Sequence, residues 1–552
     1  MMCNMLNRFS KSCCGLLVSS RIHLLNKLLM PFHLKKNEAS GHIFLIIVLI
    51  SIVFVSLFWS DTQSLIAHDE GLYARRAKLI LDSGDWLSPF ASPHHKTVGS
   101  YWAIAASLNL FGISDWASRL PSTLAGLVST ILFYLIALRY FKPLNSLVAA
   151  LSLIVVPIYF QSLRTVSPDM VFIALIMAQI YFLISAKPLS SSTSYWKIFC
   201  FGSCVSLTFF VRSIVALIPL VSLFPLILVL KYLRKKVFWV WVVAGLLVGS
   251  IPLVISLLSV YGDHRYAGLV SLISFASKKA DMTEFNLLSS VPFYFTRLLL
   301  FTFPAFVFLL PRIKSLRKMI CSPGAYPLQI ELNALTVFFP LIYIIVLSFM
   351  GTRHYHYLLP LVPPLLLNIA RIDLLTGKSK FNFESKFAGV MSAFYLLGAC
   401  LLCFKREGML EASFYIGFSA LFISSILCFY AFYAKEFSWH RSSAFAVIFA
   451  ILMAQYFTIF AFSAGGIIWN TNQELKVLAS SVNRECSSGA YLYGLSSKDT
   501  TILKFYLDDS LVLESLDSSS TSPRRCLVYA NSVGKQISPN LWDSNFSKIY
   551  FR

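Results

Sequence analysis

The chain has 552 residues, of which 57% are hydrophobic and 13% are charged, and its formal net charge is +22. Soluble domains carry about 45–50% apolar and about 25% charged residues, so this composition excludes an ordinary soluble protein. The apolar residues form repeated blocks close to the length of a bilayer-spanning helix, which is about 20 residues. These blocks lack polar–apolar alternation, which argues against a membrane β-barrel.

The basic residues recur in clusters at alternate loops, such as "KYLRKK" (231–236) and "RIKSLRK" (312–318). Because such clusters favour the cytoplasmic side, they predict an all-α polytopic membrane protein of about thirteen spans. The N-terminus is then cytoplasmic and the C-terminus extracytoplasmic. The basic excess reflects topology and contact with anionic membrane lipids, and nucleic-acid binding is not expected.

Three regions follow along the chain. Residues 1–42 are a basic cytoplasmic tail with no small-residue cleavage site. Residues 43–465 are the transmembrane module, in which a first span at about 43–60 precedes a first external loop at about 61–117. Residues 466–552 change in composition and predict a small α/β extracytoplasmic domain.

The first loop contains the helical pattern "LYARRAKLILDSG" and the stretch "YWAIAASLNLFG", which is too short to span and is expected along the membrane surface. Later spans include single helices at about 145–161, 198–213 and 215–231. Arg212 and Arg297 lie at span edges, where their side chains are expected to extend toward the interface. In the C-terminal region, "NQELKVLASSVNREC" predicts a helix, and "AYLYG" and "RRCLVYAN" predict buried strands.

Charge is concentrated just after the first span, in "HDEGLYARRAKLILDSGDW" (68–86). The predicted topology places its acidic pair on the same side of the membrane as "HHK" (94–96), Arg164 and Asp169. An acid can accept the proton of a hydroxyl nucleophile, and a cation can offset the charge of a leaving phosphate. These residue types therefore indicate transfer from a phosphate-linked donor to a hydroxyl acceptor.

The same loop resembles that of the GT-C lipid-linked-sugar glycosyltransferases, which include aminoarabinose transferase and the protein O-mannosyltransferases. The matching motifs are Asp-Glu-x-x-Tyr-Ala, Ser-Gly-Asp-Trp, Tyr-Trp and Arg-Leu-Pro, which begin at Asp69, Ser83, Tyr101 and Arg119. Further similarities are "RTVSPDMVF", which contains Asp169, and "RHYHYLLPLVPPLLL" (353–367).

The resemblance implies a role for each matching residue. Asp69 would be the general base, and Asp169 would orient the acceptor or a bound cation, although it could equally cap its helix. Glu70 would act directly or hold the loop. Lys96 would bind the donor phosphate.

Further substrate-binding candidates are Tyr73, Arg75, Arg76, His95, Arg265, Tyr355 and Tyr357. The two late tyrosines could instead belong to the interfacial aromatic belt, and His95 could be an ordinary loop histidine. The chain departs from the family pattern at Leu72, often basic in the family, and at His95 and Thr97, which replace its Glu and Pro. No cofactor is required by this reading, although a divalent cation could join the acids.

The predicted function is a membrane glycosyltransferase at the outer face of a prokaryotic inner membrane. It would move a hexose or pentose from a polyprenyl-phosphate donor of the undecaprenyl type to lipid A, another envelope glycan or a protein. One rival is a flippase of lipid-linked sugars, which predicts ionisable residues deep in the spans. A second is an inactive homologue that binds such lipids. Cys486 and Cys526 could form a disulfide in the C-terminal region.

Overall fold

The fold is that of a polytopic helical membrane protein, seen in a computed structural model. The elements below lie in residues 49–552, which form one unit. The structure describes residues 43, 45–51, 65, 68–89, 97–187, 189–259, 270, 273–274, 287–312, 327–350, 353–375, 382–404, 411–433, 443–464, 473–485, 489–493, 497–507, 512–515, 526–530 and 548–551.

Between His68 and Ser259, the described residues form ten helices. They are α1 (His68–Ser83), α2 (Gly99–Phe111), α3 (Asp115–Leu138), α4 (Pro143–Val155), α5 (Pro157–Arg164), α6 (Asp169–Ser185), α7 (Ser192–Arg212), α8 (Leu217–Ser222), α9 (Phe224–Val229) and α10 (Lys236–Ser259). Short 3-10 turns cover Ser213–Ala216 and Tyr232–Arg234.

The later helices are more often interrupted. They are α11 (Leu287–Phe301), α12 (Pro327–Asn333), α13 (Phe339–Ser348), α14 (Val362–Leu366), α15 (Asn382–Phe404), α16 (Glu411–Tyr433), α17 (Ser443–Ala464), α18 (Gln473–Glu485) and α19 (Ser497–Tyr506). Segments of 3-10 helix cover Ala305–Arg312, Tyr355–Leu361 and Leu367–Leu375, and a π-helical segment at Ala334–Phe338 joins α12 to α13.

Seven helical segments in the described part of the chain are long and apolar enough to cross a membrane, and eight if the bent pair α4–α5 counts as one span. Many large apolar side chains of these segments remain exposed, as expected for helices whose outer faces contact lipid. The multi-pass prediction is therefore confirmed. The number of about thirteen spans stays a prediction, and most of the first predicted span (43–60) lies outside the described residues.

One predicted span is bent by its local backbone conformation, and a second ends at a backbone break next to its predicted end. The span expected at 145–161 bends by 65° between α4 and α5. Val156 is extended there (φ −74°, ψ 132°), because a residue that precedes proline avoids the helical region. The span expected at 198–213 ends at Arg212, where Ser213 adopts a left-handed φ of 54°. Both breaks redirect the chain close to residues of the candidate site.

The C-terminal region contains a four-stranded parallel sheet with the order β2-β1-β3-β4. Its strands are β1 (Gly489–Tyr493), β2 (Val512–Ser515), β3 (Cys526–Ala530) and β4 (Lys548–Phe551). Helix α18, β1 and β3 lie near the helix and strands expected from the sequence. The location of this region outside the membrane stays a prediction, and Cys486 is outside the described residues.

One apolar core joins the first loop to the C-terminal helices. Helices α1 and α2 and the start of α3 pack with α18 and α19. Its buried members include Tyr73, Ala77, Ile80, Tyr101, Ile104, Leu475, Leu478, Val482, Ile502, Leu503 and Phe505. The loop that carries Asp69 and Glu70 therefore folds into helices that pack against the C-terminal helices.

Candidate active site

Helix α1 presents three of the predicted site residues on one face. Asp69, Tyr73 and Arg76 are spaced by four and three residues, so their side chains project in a similar direction. Asp69 is exposed, whereas Tyr73 is buried. The Arg76 Nη1 donates a hydrogen bond of 2.8 Å to the Tyr101 hydroxyl of α2. The rings of Tyr73 and Tyr101 are 5.6 Å apart, which ties α1 to α2 beside Asp69.

The second acid, Asp169, begins α6 and forms an ion pair with Arg212, the last residue of α7. Both side chains are largely buried, at 18% and 13% exposure. Arg212 also shares a side-chain hydrogen bond with Tyr73. The guanidinium therefore links the start of α6 to the face of α1 that carries Asp69. This corrects the expectation that Arg212 extends toward the interface.

Burial raises the pKa of the Tyr73 phenol, and the nearby Asp69 charge raises it further, while Arg212 and Arg76 oppose the shift. Burial likewise raises the pKa of Tyr101. Both phenols therefore remain protonated at neutral pH. A site with two phenols and two guanidiniums between the acids suits an oxygen-rich anionic ligand.

Glu70 faces away from this group and is 2% exposed. It accepts hydrogen bonds from Arg119 Nε (2.9 Å) and Nη2 (3.2 Å), which form a bidentate ion pair. Its Oε1 also accepts a 2.9 Å hydrogen bond from the backbone N–H of Val166, three residues before Asp169. Of the two roles considered for Glu70, this geometry favours holding the loop.

The remaining motif residues shape the first loop. Gly84 has a left-handed φ of 67°, which ends α1, and Asp85 then caps the following turn. The Asp85 Oδ1 accepts hydrogen bonds of 2.8 and 2.9 Å from the backbone N–H groups two and three residues later. The indole N–H of Trp102 donates to the Trp86 carbonyl oxygen at 2.6 Å. The Ser-Gly-Asp-Trp and Tyr-Trp motifs are thus joined directly.

The two late tyrosines differ in their surroundings. Tyr355 is 43% exposed and its ring packs 5.1 Å from that of Phe301. Tyr357 is 5% exposed and interacts electrostatically with Tyr343, which also interacts with Arg212. Tyr357 is therefore the buried member of the pair, with its ring 4.7 Å from that of His356, whereas Tyr355 is exposed beside Phe301.

Arg75 projects toward the C-terminal helices instead of the Asp69 face. Burial lowers its pKa, with a smaller contribution from Arg76. Burial also lowers the pKa of Lys504 on α19, and the nearby Arg75 charge adds to that shift. The predicted candidates His95, Lys96 and Arg265 lie outside the described residues.

Two arginines that complete the arrangement, Arg119 and Arg212, were not predicted as site residues. Each is a charged residue at the edge of an apolar run, which requires a partner or solvent. The sequence therefore identifies these arginines as residues that need a partner, but it does not show which residues the partners are. Within the described ranges no three His, Cys, Asp or Glu side chains lie close enough together to hold a metal ion. Asp169, a candidate cation ligand, has a guanidinium partner.

Three comparisons bear on this arrangement. Residues 95–255 match the family model described as dolichyl-phosphate-mannose-protein mannosyltransferase. An undecaprenyl phosphate-alpha-4-amino-4-deoxy-L-arabinose arabinosyl transferase of Aeromonas hydrophila is 28% identical over 193 residues, which cover 34% of this chain and 35% of that protein. A protein of the same name from Pseudomonas paraeruginosa is 38% identical over 87 residues, 15% of this chain and 16% of that protein.

The crystal structure of ArnT from Cupriavidus metallidurans bound to undecaprenyl phosphate aligns with a TM-score of 0.66 and 15% identity over 85% of each chain. The chain resembles the GT-C glycosyltransferases. The apo structure of the same ArnT aligns with a TM-score of 0.62 and 16% identity over 86% of each chain. The ArnT-like fold and the family resemblance expected from the first-loop motifs are thus confirmed. The sequence matches span about a third or less of the length of the curated relatives.

Proposed function

We propose that this protein is a membrane glycosyltransferase that transfers a sugar from a polyprenyl-phosphate donor to an envelope acceptor. The observation that carries the proposal is the grouping of an exposed Asp69 with a buried cationic and phenolic cluster around Arg212. The likeness to the ArnT fold and to an undecaprenyl-phosphate arabinosyl transferase supports the donor class.

In the proposed reaction, an acceptor hydroxyl attacks the anomeric carbon of the donor. The new acceptor O–C1 bond forms as the C1–O bond to phosphate breaks, and the electron pair leaves with the polyprenyl phosphate. Asp69 accepts the hydroxyl proton, and the single displacement inverts the anomeric configuration. No covalent enzyme intermediate is needed.

The surrounding residues have separate roles in this proposal. Lys96, assigned by its motif, binds the leaving phosphate, and Arg76 with the Tyr73 and Tyr101 hydroxyls stabilises charge that develops on its oxygens. Asp169 orients the acceptor, and its ion pair with Arg212 holds the carboxylate in place. Glu70 holds the two acidic segments together. Tyr357 lines the donor side of the site.

We further propose that the site opens at the extracytoplasmic face of a prokaryotic inner membrane, with the N-terminus cytoplasmic. The acceptor is lipid A, another envelope glycan or a protein, and the sugar is a hexose or pentose. This orientation follows from the alternating basic loops.

The test is the Asp69→Asn variant of the purified full-length protein, assayed with polyprenyl-phosphate sugars. Loss of a general base lowers turnover by about 10²- to 10⁴-fold. Asp82→Asn is the matched control, because Asp82 is an exposed carboxylate on the same helix, and it is expected to turn over normally. Near-normal transfer by the Asp69 variant would remove Asp69 as the base.

Mass spectrometry of envelope glycolipids and glycoproteins from cells with and without the gene separates the rival functions. Loss of a single hexose- or pentose-sized mass from one species supports transfer. A lipid-linked precursor that is redistributed across the membrane, without a lost product, supports a flippase. An inactive homologue is expected to bind the donor without turnover in the purified system.

A further inference from the structure

The first-loop helix α1 is packed closely against α19 of the C-terminal region. A Cβ atom on Gly71 would lie 2.6 Å from Cγ1 and 3.2 Å from Cα of Ile502, so the absence of a side chain permits this approach. One end of the contact is polar, since Lys78 Nζ donates a 2.8 Å hydrogen bond to the Leu507 carbonyl oxygen. Gly71 lies two residues after the catalytic candidate, in the sequence Asp69-Glu70-Gly71.

A network of buried polar groups lies beside this contact. The network begins on the C-terminal helices α18 and α19. The Tyr506 hydroxyl donates a 2.6 Å hydrogen bond to Asp115 Oδ1 at the start of α3. The Lys476 ammonium of α18 donates to Asp115 Oδ2, also at 2.6 Å. The backbone N–H of Leu65 donates to the Tyr506 oxygen at 2.7 Å. Asp115 is 1% exposed, so these donors satisfy a buried carboxylate.

The network of buried polar groups continues from Asp115 to Asp69 and Glu70. Arg119 lies one helical turn after Asp115, is 2% exposed, and interacts electrostatically with its carboxylate. The same guanidinium holds Glu70, which accepts the Val166 N–H just before Asp169. Lys476, Asp115, Arg119 and Glu70 therefore form a row of side chains with alternating charge. The row leads from α18 to the segments that carry Asp69 and Asp169.

We propose that α18 and α19 position the two loop carboxylates, acting through Asp115 and Arg119 on Glu70. Tyr506 and Lys476 are then positioning residues, because they do not touch the reacting groups. The inference rests on the proposed function and adds that the C-terminal helices are part of the catalytic unit. A small displacement of a catalytic group from its reactive position lowers turnover strongly. Contacts far from the reacting atoms can therefore change the rate.

The first experiment uses the purified full-length variants Tyr506→Phe and Asp115→Asn in a transfer assay. We expect each to lower kcat by about tenfold or more, with the donor KM changed by less than about twofold, since a hydrogen bond to a charged group is lost. Ser480→Ala is the control. The hydroxyl of this exposed residue of α18 donates to the carbonyl oxygen of Val477 in its own helix, so wild-type kcat is expected.

A double-mutant cycle distinguishes positioning from general destabilisation. If Tyr506 and Arg119 act through the same network of polar groups, the Tyr506→Phe/Arg119→Lys protein is expected to be no slower than the slower single variant. Multiplying effects would refute a shared path. A role in folding alone would lower the melting temperature and leave kcat per folded molecule unchanged, which would also overturn the proposal.

Hydrogen exchange supplies a readout that needs no turnover. Tyr506→Phe is expected to speed exchange in residues 68–83 and to leave exchange in 411–433 unchanged. Unchanged exchange in 68–83 would overturn the proposal even in an active transferase. If the wild-type protein transfers no sugar while this exchange response occurs, the proposed function fails, whereas the mechanical link between α19 and α1 is supported.

Discussion

The ion pair between Asp169 and Arg212 connects the start of α6 to the face of α1. Arg212 is shared, because it also bonds the Tyr73 phenol. Removal of one partner of a buried pair leaves the other charge uncompensated, at a cost of about 3–5 kcal/mol. The Asp169 carboxylate would then lose the contact that holds it beside α1, and the arrangement of the site would change.

Arg212→Gln is therefore expected to lower kcat/KM for transfer by about 100-fold or more, since about 2.7 kcal/mol corresponds to that factor. Arg212→Lys keeps the charge without the planar fork, so it should recover part of the activity. Steady-state kinetics of the purified variants check both expectations.

Arg297→Gln is the matched control, because Arg297 also lies at a predicted span edge. Its guanidinium stacks 3.6 Å from the centre of the Phe293 ring on the same helix. We expect its kcat/KM to stay within about threefold of wild type, as loss of one exposed cation–π contact costs about 0.5–1 kcal/mol. Equal losses for both arginine variants would contradict a specific role for Arg212.

Helices α7 and α10 approach each other closely along a row of small residues. A Cβ on Gly245 would clash with the Phe199 carbonyl oxygen and lie 2.9 Å from the Ser203 backbone nitrogen. Gly202 and Gly249 face backbone atoms of the partner helix at similarly short distances. Small residues at helix interfaces allow such contacts in membranes, where packing drives association. This packing fixes the middle of α7, the helix that ends at Arg212.

Gly245→Ala is expected to force α7 and α10 apart and to destabilise the protein by about 1–3 kcal/mol, as overpacking does. The melting temperature of the detergent-solubilised protein should fall. Gly398→Ala serves as the control, because its Cβ would meet only Leu421 side-chain atoms at 3.5–3.6 Å. There alanine should be neutral or stabilising, since it favours helix more than glycine does. The reverse order of the two melting temperatures would argue against close packing at Gly245.

Two buried clusters of charge lie at opposite ends of α3. Near its start, Arg119 binds Glu70, and just after its end Arg139 binds Glu331 with an Nε–Oε1 distance of 3.0 Å. Lys187 adds a second cation to Glu331 at 3.2 Å. The 24 residues of α3 span about 36 Å, slightly more than the hydrocarbon core of a bilayer. Both clusters are therefore able to lie at the two edges of the membrane.

This arrangement predicts which residues are reached from each side of the membrane. In a background without native cysteines, Ser480→Cys on α18 should react with a membrane-impermeant maleimide in intact cells from which any outer membrane barrier has been removed. Thr193→Cys, exposed at the start of α7 and far from Arg212, should react only after the membrane is permeabilised. Labelling of Thr193→Cys in intact cells would reverse the proposed orientation.

The amino-acid sequence by itself determined the helical, multi-pass character and the family resemblance of the protein. Hydrophobic blocks and helix periodicity are local properties, and the Asp-Glu motif depends on adjacent residues, so each can be recognised without tertiary contacts. The sequence also predicted helix α18 and strands β1 and β3 of the C-terminal region close to where the structure has them. The first-loop acids were identified because their charge contrasts with the apolar segments beside them.

Only the tertiary structure decided which charged groups meet. Glu70 and Arg119 are separated by 49 residues, and Tyr506 and Asp115 by 391, so no local pattern links them. A buried ion needs a partner, but the sequence offers many candidates, and helix packing selects among them. For that reason Arg212 and Arg297 had the same interpretation in the sequence, while the fold placed one beside Asp169 and the other over Phe293.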